Sequence, residues 1–88
     1  MSIGAIVTKV IDGDTIGIAS NKIRLARVYA PEIDTEKGKK CKDKLESLVL
    51  DKYITYEKVG TSYDRIVAEI YDGIKNINDI MIKFVENL

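Results

Sequence analysis

Val10-Ile11-Asp12-Gly13-Asp14-Thr15 joins two apolar runs through a pair of carboxylates that flank one glycine. Upstream, Ile3, Ala5, Ile6, Val7, Val10 and Ile11 make residues 1–11 rich in β-branched and apolar side chains, which predicts a strand. Asp12-Gly13 is a turn dipeptide, and Thr15 to Ala19 predicts the returning strand. Ser20-Asn21 predicts the next turn, and Lys22 to Tyr29 a third strand that Pro31 stops. Carboxylates grouped as Asp12 and Asp14 are supply hard oxygen ligands of the kind that suit calcium or magnesium. The same residues also serve an ordinary hairpin.

Beyond Pro31, residues 32–40 are polar and read as loop. A helix follows over Lys39 to Leu50, with Cys41, Leu45, Leu48 and Val49 on one apolar stripe. This places Cys41 in the packing rather than at the surface as a reactive thiol. Tyr53 to Val59 and Arg65 to Tyr71 predict the fourth and fifth strands, the second of them broken by Asp72-Gly73. Ile77, Ile80, Met81, Phe84, Val85 and Leu88 fall at helical spacing, with Asn76 or Asn78 available to cap the start. The order β-β-β-α-β-β-α predicts a mainly β fold with helices. It is that of a five-stranded OB-fold β-barrel with one helix between strands three and four and a second helix at the C-terminus. The 88 residues suffice for one domain, 1–88.

Composition narrows the chemistry. Fourteen basic side chains balance fourteen acidic ones, so net charge gives no argument for nucleic acid. Signs must then segregate locally, as in the run Lys37, Lys39, Lys40, Lys42 and Lys44, which also reads as a solvated helix face. The absence of histidine excludes histidine catalysis and Cys/His zinc sites, and one cysteine excludes an intrachain disulfide. No stretch approaches the length of a membrane span. The N-terminus shows no signal-peptide pattern, which makes the cytoplasm the default location; a secreted mature form would read the same.

Three further segments carry charged residues at element ends. Arg24, between Ile23 and Leu25, points to the strand face opposite its apolar neighbours, toward solvent or toward a groove where its planar fork matches a phosphate. Glu32 follows Ala30-Pro31 where the chain leaves the third strand, as a loop acid or as a base for water. Tyr63-Asp64-Arg65 sets an arginine beside an aromatic, which packs or stacks on a base.

Taken in order, Asp12-Gly13-Asp14-Thr15, Arg24-Leu25, Ala30-Pro31-Glu32, Tyr63-Asp64-Arg65 and the final Asp72-Gly73 with Ile77-Asn78 resemble the staphylococcal nuclease family. The resemblance runs from about Ala5 to the end and implies a Ca²⁺-dependent nuclease acting on phosphodiester bonds of DNA or RNA, with unpaired strands preferred. It implies that Asp14 binds the metal directly, that Ala30 lends a backbone carbonyl, and that Asp12 supports from behind. Arg24 and Arg65 match the phosphate-clamping arginines and Glu32 the general base. Tyr63, Lys39 and Lys40 are candidate substrate contacts.

The chain departs from the family pattern in three ways. The aspartate usually found two residues before the proline, a second calcium ligand, is here Tyr29. That implies weaker metal binding, or use of Mg²⁺ or Mn²⁺ instead. The glycine before the second arginine is Asp64, which is free to pair with Arg65. The family's usual last helix has no counterpart, which leaves a side that a homodimer contact would cover. The alternative reading is a non-catalytic OB module that binds nucleic acid or a protein partner.

Overall fold

The computed structural model describes residues 2–88. Its elements are β1 (Ile3–Ile6), β2 (Lys9–Asp12), β3 (Thr15–Gly17), β4 (Lys22–Leu25), α1 (Glu36–Val49), β5 (Tyr53–Ser62), β6 (Arg65–Asp72), β7 (Lys75–Asn76) and α2 (Ile77–Glu86). One sheet holds every strand in the order β1-β5-β6-β4-β3-β2, with the short β7 added to β6.

The two ends of that order belong to one stretch of chain. β1 pairs with β5 and β2 pairs with β3, both antiparallel. Between them the Val7 amide donates to the Lys52 carbonyl and the Thr8 amide to the Gly17 carbonyl. The first strand therefore bends at Val7-Thr8 and serves both edges, which curls the sheet into the OB-like barrel. Counted as one bent strand, β1 and β2 join β3, β4, β5 and β6 to give the five strands expected. Met1, the first residue of the expected strand, lies outside the described residues. The parallel pair β4–β6, with Arg24 opposite Val67, completes the curl.

Apolar faces of the strands and both helices meet in one core that includes Val7, Ile16, Ile23, Leu25, Leu45, Ile54, Ile70 and Met81. Burying side chains of this size is worth about 1.5–3 kcal/mol each before the entropy of ordering them is subtracted. Cys41 belongs to this core, as its place on the helical stripe predicts.

Several boundaries differ from the sequence reading, each for a local reason. α1 starts at Glu36 rather than Lys39, because Thr35 caps it: the Thr35 hydroxyl accepts from the Gly38 amide. The third strand ends at Leu25 instead of Tyr29, since Arg27 takes a left-handed backbone (φ 67°) and turns the chain away. Asn76 caps α2 through the Asp79 amide, and the helix closes at Glu86, two residues early.

Asn78 has a different task from capping. It is fully buried; its Oδ1 accepts from the Ile70 amide, and its Nδ2 donates to the carbonyls of Ala26 and Ala68. One side chain thus ties α2 to β6 and to the end of β4 where those strands part.

Candidate active site

A bulge brings the acidic turn to the sheet end. Val10 pairs with Ile16 but Asp12 pairs with Thr15, so two residues on β2 face one on β3. Asp12 then folds back, its Oδ1 accepting from the Asp14 amide at 3.1 Å. Gly13 is needed here for closeness rather than for an unusual φ. A Cβ on it would lie 2.5 Å from Cys41 Cβ and 2.8 Å from Ala30 Cβ. The turn is wedged between α1 and the segment after β4.

Asp14 is the hub. Its Oδ1 accepts from the Thr15 hydroxyl at 3.1 Å, and that hydroxyl oxygen accepts from Arg65 Nη1 at 3.5 Å. Its Oδ2 lies 3.8 Å from Arg24 Nη2 and accepts from the Ala30 amide at 3.4 Å. Both arginines are therefore connected to one carboxylate, from opposite sides. Register explains the convergence: Thr15 is the cross-strand partner of Arg24, and Arg65 opens β6, which runs parallel to β4. Arg24 also donates through Nη2 to the Val28 carbonyl at 3.1 Å and stacks its guanidinium over the Tyr29 ring, 5.4 Å from the centroid.

Burial, reinforced by the hydrogen bond and charge of Asp12, pushes Asp14 up to about 6, against the lowering effects of Arg24 and Thr15. The Cys41 thiol is also raised, by burial first and then by the Asp14 charge, which removes it as a thiolate nucleophile.

Glu32 leaves the barrel on an exposed loop fixed through its backbone. Its carbonyl accepts from the Thr35 amide at 3.0 Å and from the Thr35 hydroxyl at 2.6 Å. Gly38 of α1 presses on the same carbonyl, so closely that a Cβ there would sit 1.8 Å from the oxygen. The helix thus sets where Glu32 begins, while its carboxylate forms no ion pair among the described residues.

A family model described as "Staphylococcal nuclease homologue" matches residues 22–84. The chain belongs to the staphylococcal nuclease family. A protein of Haemophilus influenzae (strain ATCC 51907 / DSM 11121 / KW20 / Rd) named "Uncharacterized endonuclease" is 39% identical over 83 residues, covering 88% of this chain and 47% of that protein. The chain spans about half the length of that curated relative. Within the family match lie Arg24, Glu32 and Arg65; Asp12 and Asp14 precede it.

Of the residues singled out in the sequence, the structure links Asp12, Asp14, Arg24, Ala30 and Arg65 in one network. Ala30 reaches Asp14 through its amide. Asp64 makes no ion pair with Arg65 among the described residues, which leaves the arginine directed to Thr15. Tyr63 sits outside the network, at the tip of the β5–β6 hairpin with a left-handed backbone and 97% exposure. Lys39 and Lys40 lie exposed on α1.

Two contributors escaped sequence reasoning. Thr15 bridges Arg65 to Asp14, a role its place beside Asp14 hides behind ordinary strand composition. Arg27 makes a two-pronged ion pair with Glu69 (2.8 and 2.7 Å) and reaches Asp79 at 2.9 Å, pinning the turn that carries Val28 and Tyr29. No local signal joins residues so far apart in sequence.

The donor set was tested against the metal that the family implies. Among the described residues no group of three or more His, Cys, Asp or Glu side chains gathers. Two carboxylates in a turn fit a divalent ion that keeps part of its water shell and takes further oxygens from substrate, the habit of Mg²⁺ more than of Ca²⁺ with its 6–8 ligands. The raised Asp14 carboxyl agrees, because crowded negative charge there is relieved by a cation.

Proposed function

We propose that this chain is a metal-dependent nuclease that hydrolyses phosphodiester bonds of DNA or RNA, single-stranded for preference. The observation that supports it best is the connection of Arg24 and Arg65 to Asp14 from two sides. Two guanidinium groups held apart by a shared carboxylate make a seat for a phosphate, which both can engage with paired N–H donors.

In this reading the scissile phosphate displaces weak contacts rather than strong ones. Arg24 gives up a 3.8 Å approach to Asp14, and Arg65 a 3.5 Å hydrogen bond to Thr15. Glu32 accepts a proton from water while the water oxygen bonds to phosphorus. The bond from phosphorus to the leaving oxygen breaks, and that oxygen takes a proton from solvent. The two arginines stabilise the charge gathering on the remaining phosphate oxygens. Asp14, with Asp12 behind it and the Ala30 backbone beside it, would hold Ca²⁺, or Mg²⁺ or Mn²⁺ in its place. A cation bound there supplies further charge to the same oxygens.

The relative's printed name, "Uncharacterized endonuclease", agrees with hydrolysis within strands. Tyr29 supports a second reading, a binding module without catalysis, because it stands where a second carboxylate would complete the metal site. Cleavage of a labelled single-stranded DNA separates the two. With Ca²⁺, Mg²⁺ or Mn²⁺ the wild type should cleave, chelator should stop it, and Glu32→Ala or Arg24→Ala should slow it by about 10²–10³-fold. Salt-sensitive binding with no cleavage under any metal would establish the binding module instead.

A further inference from the structure

Tyr29 has no ordinary reason to be a tyrosine. Its ring is 77% exposed, so it contributes little to the core. Arg24 lies against it, and the same ring borders a cavity of about 280 Å³ lined by Arg27, Ile82, Val85 and Glu86. The cavity has an aromatic wall, an aliphatic floor from the outer side of α2, and charged groups at its rim. That make-up suits a flat heteroaromatic ring with a polar edge.

We propose that Tyr29 and this cavity form a nucleobase subsite next to the phosphate seat. The inference rests on Arg24 binding a phosphate, as argued above. A nucleotide carries its base one sugar away from its phosphate, and Tyr29 spans the corresponding step from the Arg24 guanidinium to the cavity. Ile82 and Val85 give the base an apolar surface, and Glu86 offers an acceptor to an amino or ring N–H group on its edge. Stacking on Tyr29 demands a base free of its pairing partner, which gives the site a physical preference for single strands. It is tolerant of sequence, because every base presents a π-face.

The test compares two short end-labelled oligonucleotides, one bearing bases and one abasic throughout, bound to the full chain in chelator and followed by fluorescence anisotropy. Wild type should bind the base-bearing strand about five- to a hundred-fold more tightly than the abasic one. Tyr29→Ala and Val85→Ser should bring that ratio toward one, and Tyr29→Phe should keep it. Because the ratio is read rather than the absolute affinity, any disturbance of Arg24 by the Tyr29 change cancels. A wild-type ratio near one, or a ratio unchanged in Tyr29→Ala, overturns the subsite. A subsite lost while Glu32-dependent cleavage persists leaves the nuclease reading standing. A ratio that behaves as expected without any cleavage leaves the subsite standing and removes the catalysis. Failure of either strand to bind overturns the subsite together with the phosphate seat.

Discussion

Arg24 Nη2 stands 3.8 Å from Asp14 Oδ2, yet the cation does not win control of the carboxyl's titration. Burial and the Asp12 carboxylate outweigh it, and Asp14 is pushed up to about 6 from 3.8. The folded chain therefore holds a proton that the unfolded chain has released over that interval. Stability of the metal-free protein falls as pH rises from about 4 to 6, and stays lowered above it. The full effect is on the order of 3 kcal/mol. Urea unfolding in chelator across this range should show the decline, and Asp14→Asn should flatten it and be the more stable variant at pH 7. A wild-type profile that is level or rising over the same range would contradict the assigned environment.

Gly38 should resist replacement by the best helix former. Alanine is worth about 1 kcal/mol over glycine inside a helix. Here, however, a Cβ would fall 1.8 Å from the Glu32 carbonyl oxygen and 2.5 Å from its carbon, both backbone atoms. Gly38→Ala must push α1 and the Ala30–Glu32 segment apart. The expected result is a net loss of about 1–3 kcal/mol in unfolding experiments, with cleavage falling more than the fraction unfolded explains. Lys39→Ala, one residue along on the exposed side, should unfold at nearly the same denaturant concentration as wild type.

Much of this architecture was legible beforehand because its signals are local. Alternating apolar residues placed the strands, Asp12-Gly13 and Asp72-Gly73 placed turns, and the stripe from Ile77 onward placed the last helix. Arg24 and Arg65 stood out because charged residues at strand positions are conspicuous. What escaped was non-local. The bend at Val7-Thr8 depends on pairing with Lys52 and Gly17, and the early end of β4 depends on Arg27 meeting Glu69 and Asp79. Asn78 looked like a cap because asparagine near a helix start usually is one, and only the tertiary fold reveals three backbone groups waiting for it.

Those three groups make Asn78 expensive to change. Asn78→Ala strips partners from one buried amide and two buried carbonyls at once, and an unsatisfied buried group costs about 1–3 kcal/mol. A total loss of about 3–5 kcal/mol is expected, large against the stability of a domain of this size. Asn78→Asp should be nearly as damaging despite its matching shape, since an ionised carboxylate cannot donate to Ala26 and Ala68. Denaturant unfolding of both variants decides it; a loss below about 1 kcal/mol in Asn78→Ala would show that water replaces the amide without penalty.

The ion pair of Arg27 with Glu69 should be visible on the acid side of the stability profile. The Arg27 hydrogen bonds hold Glu69 below its usual range, so its contribution is complete above about pH 4.5 and disappears as pH falls through the lowered value. Glu69→Gln should be less stable than wild type at neutral pH and converge with it in acid. Arg27→Gly should outlast Arg27→Ala, because both lose the ion pair but only alanine retains the cost of a left-handed backbone. Parallel acid titrations followed by circular dichroism would show the convergence; curves that stay equally separated at low pH would assign the loss to something other than the charge.

Tyr29 is where metal and substrate compete for one position. Restoring a carboxylate with Tyr29→Asp adds a second direct anionic ligand beside Asp14, and affinity for hard cations follows the charge of the ligand set. Calorimetric titration with Ca²⁺ should show binding tightened by at least about tenfold. The added carboxylate also faces Arg24 in place of an aromatic ring, so the variant should lose discrimination between base-bearing and abasic strands while gaining metal. The two effects are separable, because Tyr29→Ala loses the discrimination without the gain. Tighter Ca²⁺ in Tyr29→Asp with base discrimination intact would place the base elsewhere, and unchanged Ca²⁺ affinity would mean that residue 29 does not face the cation at all.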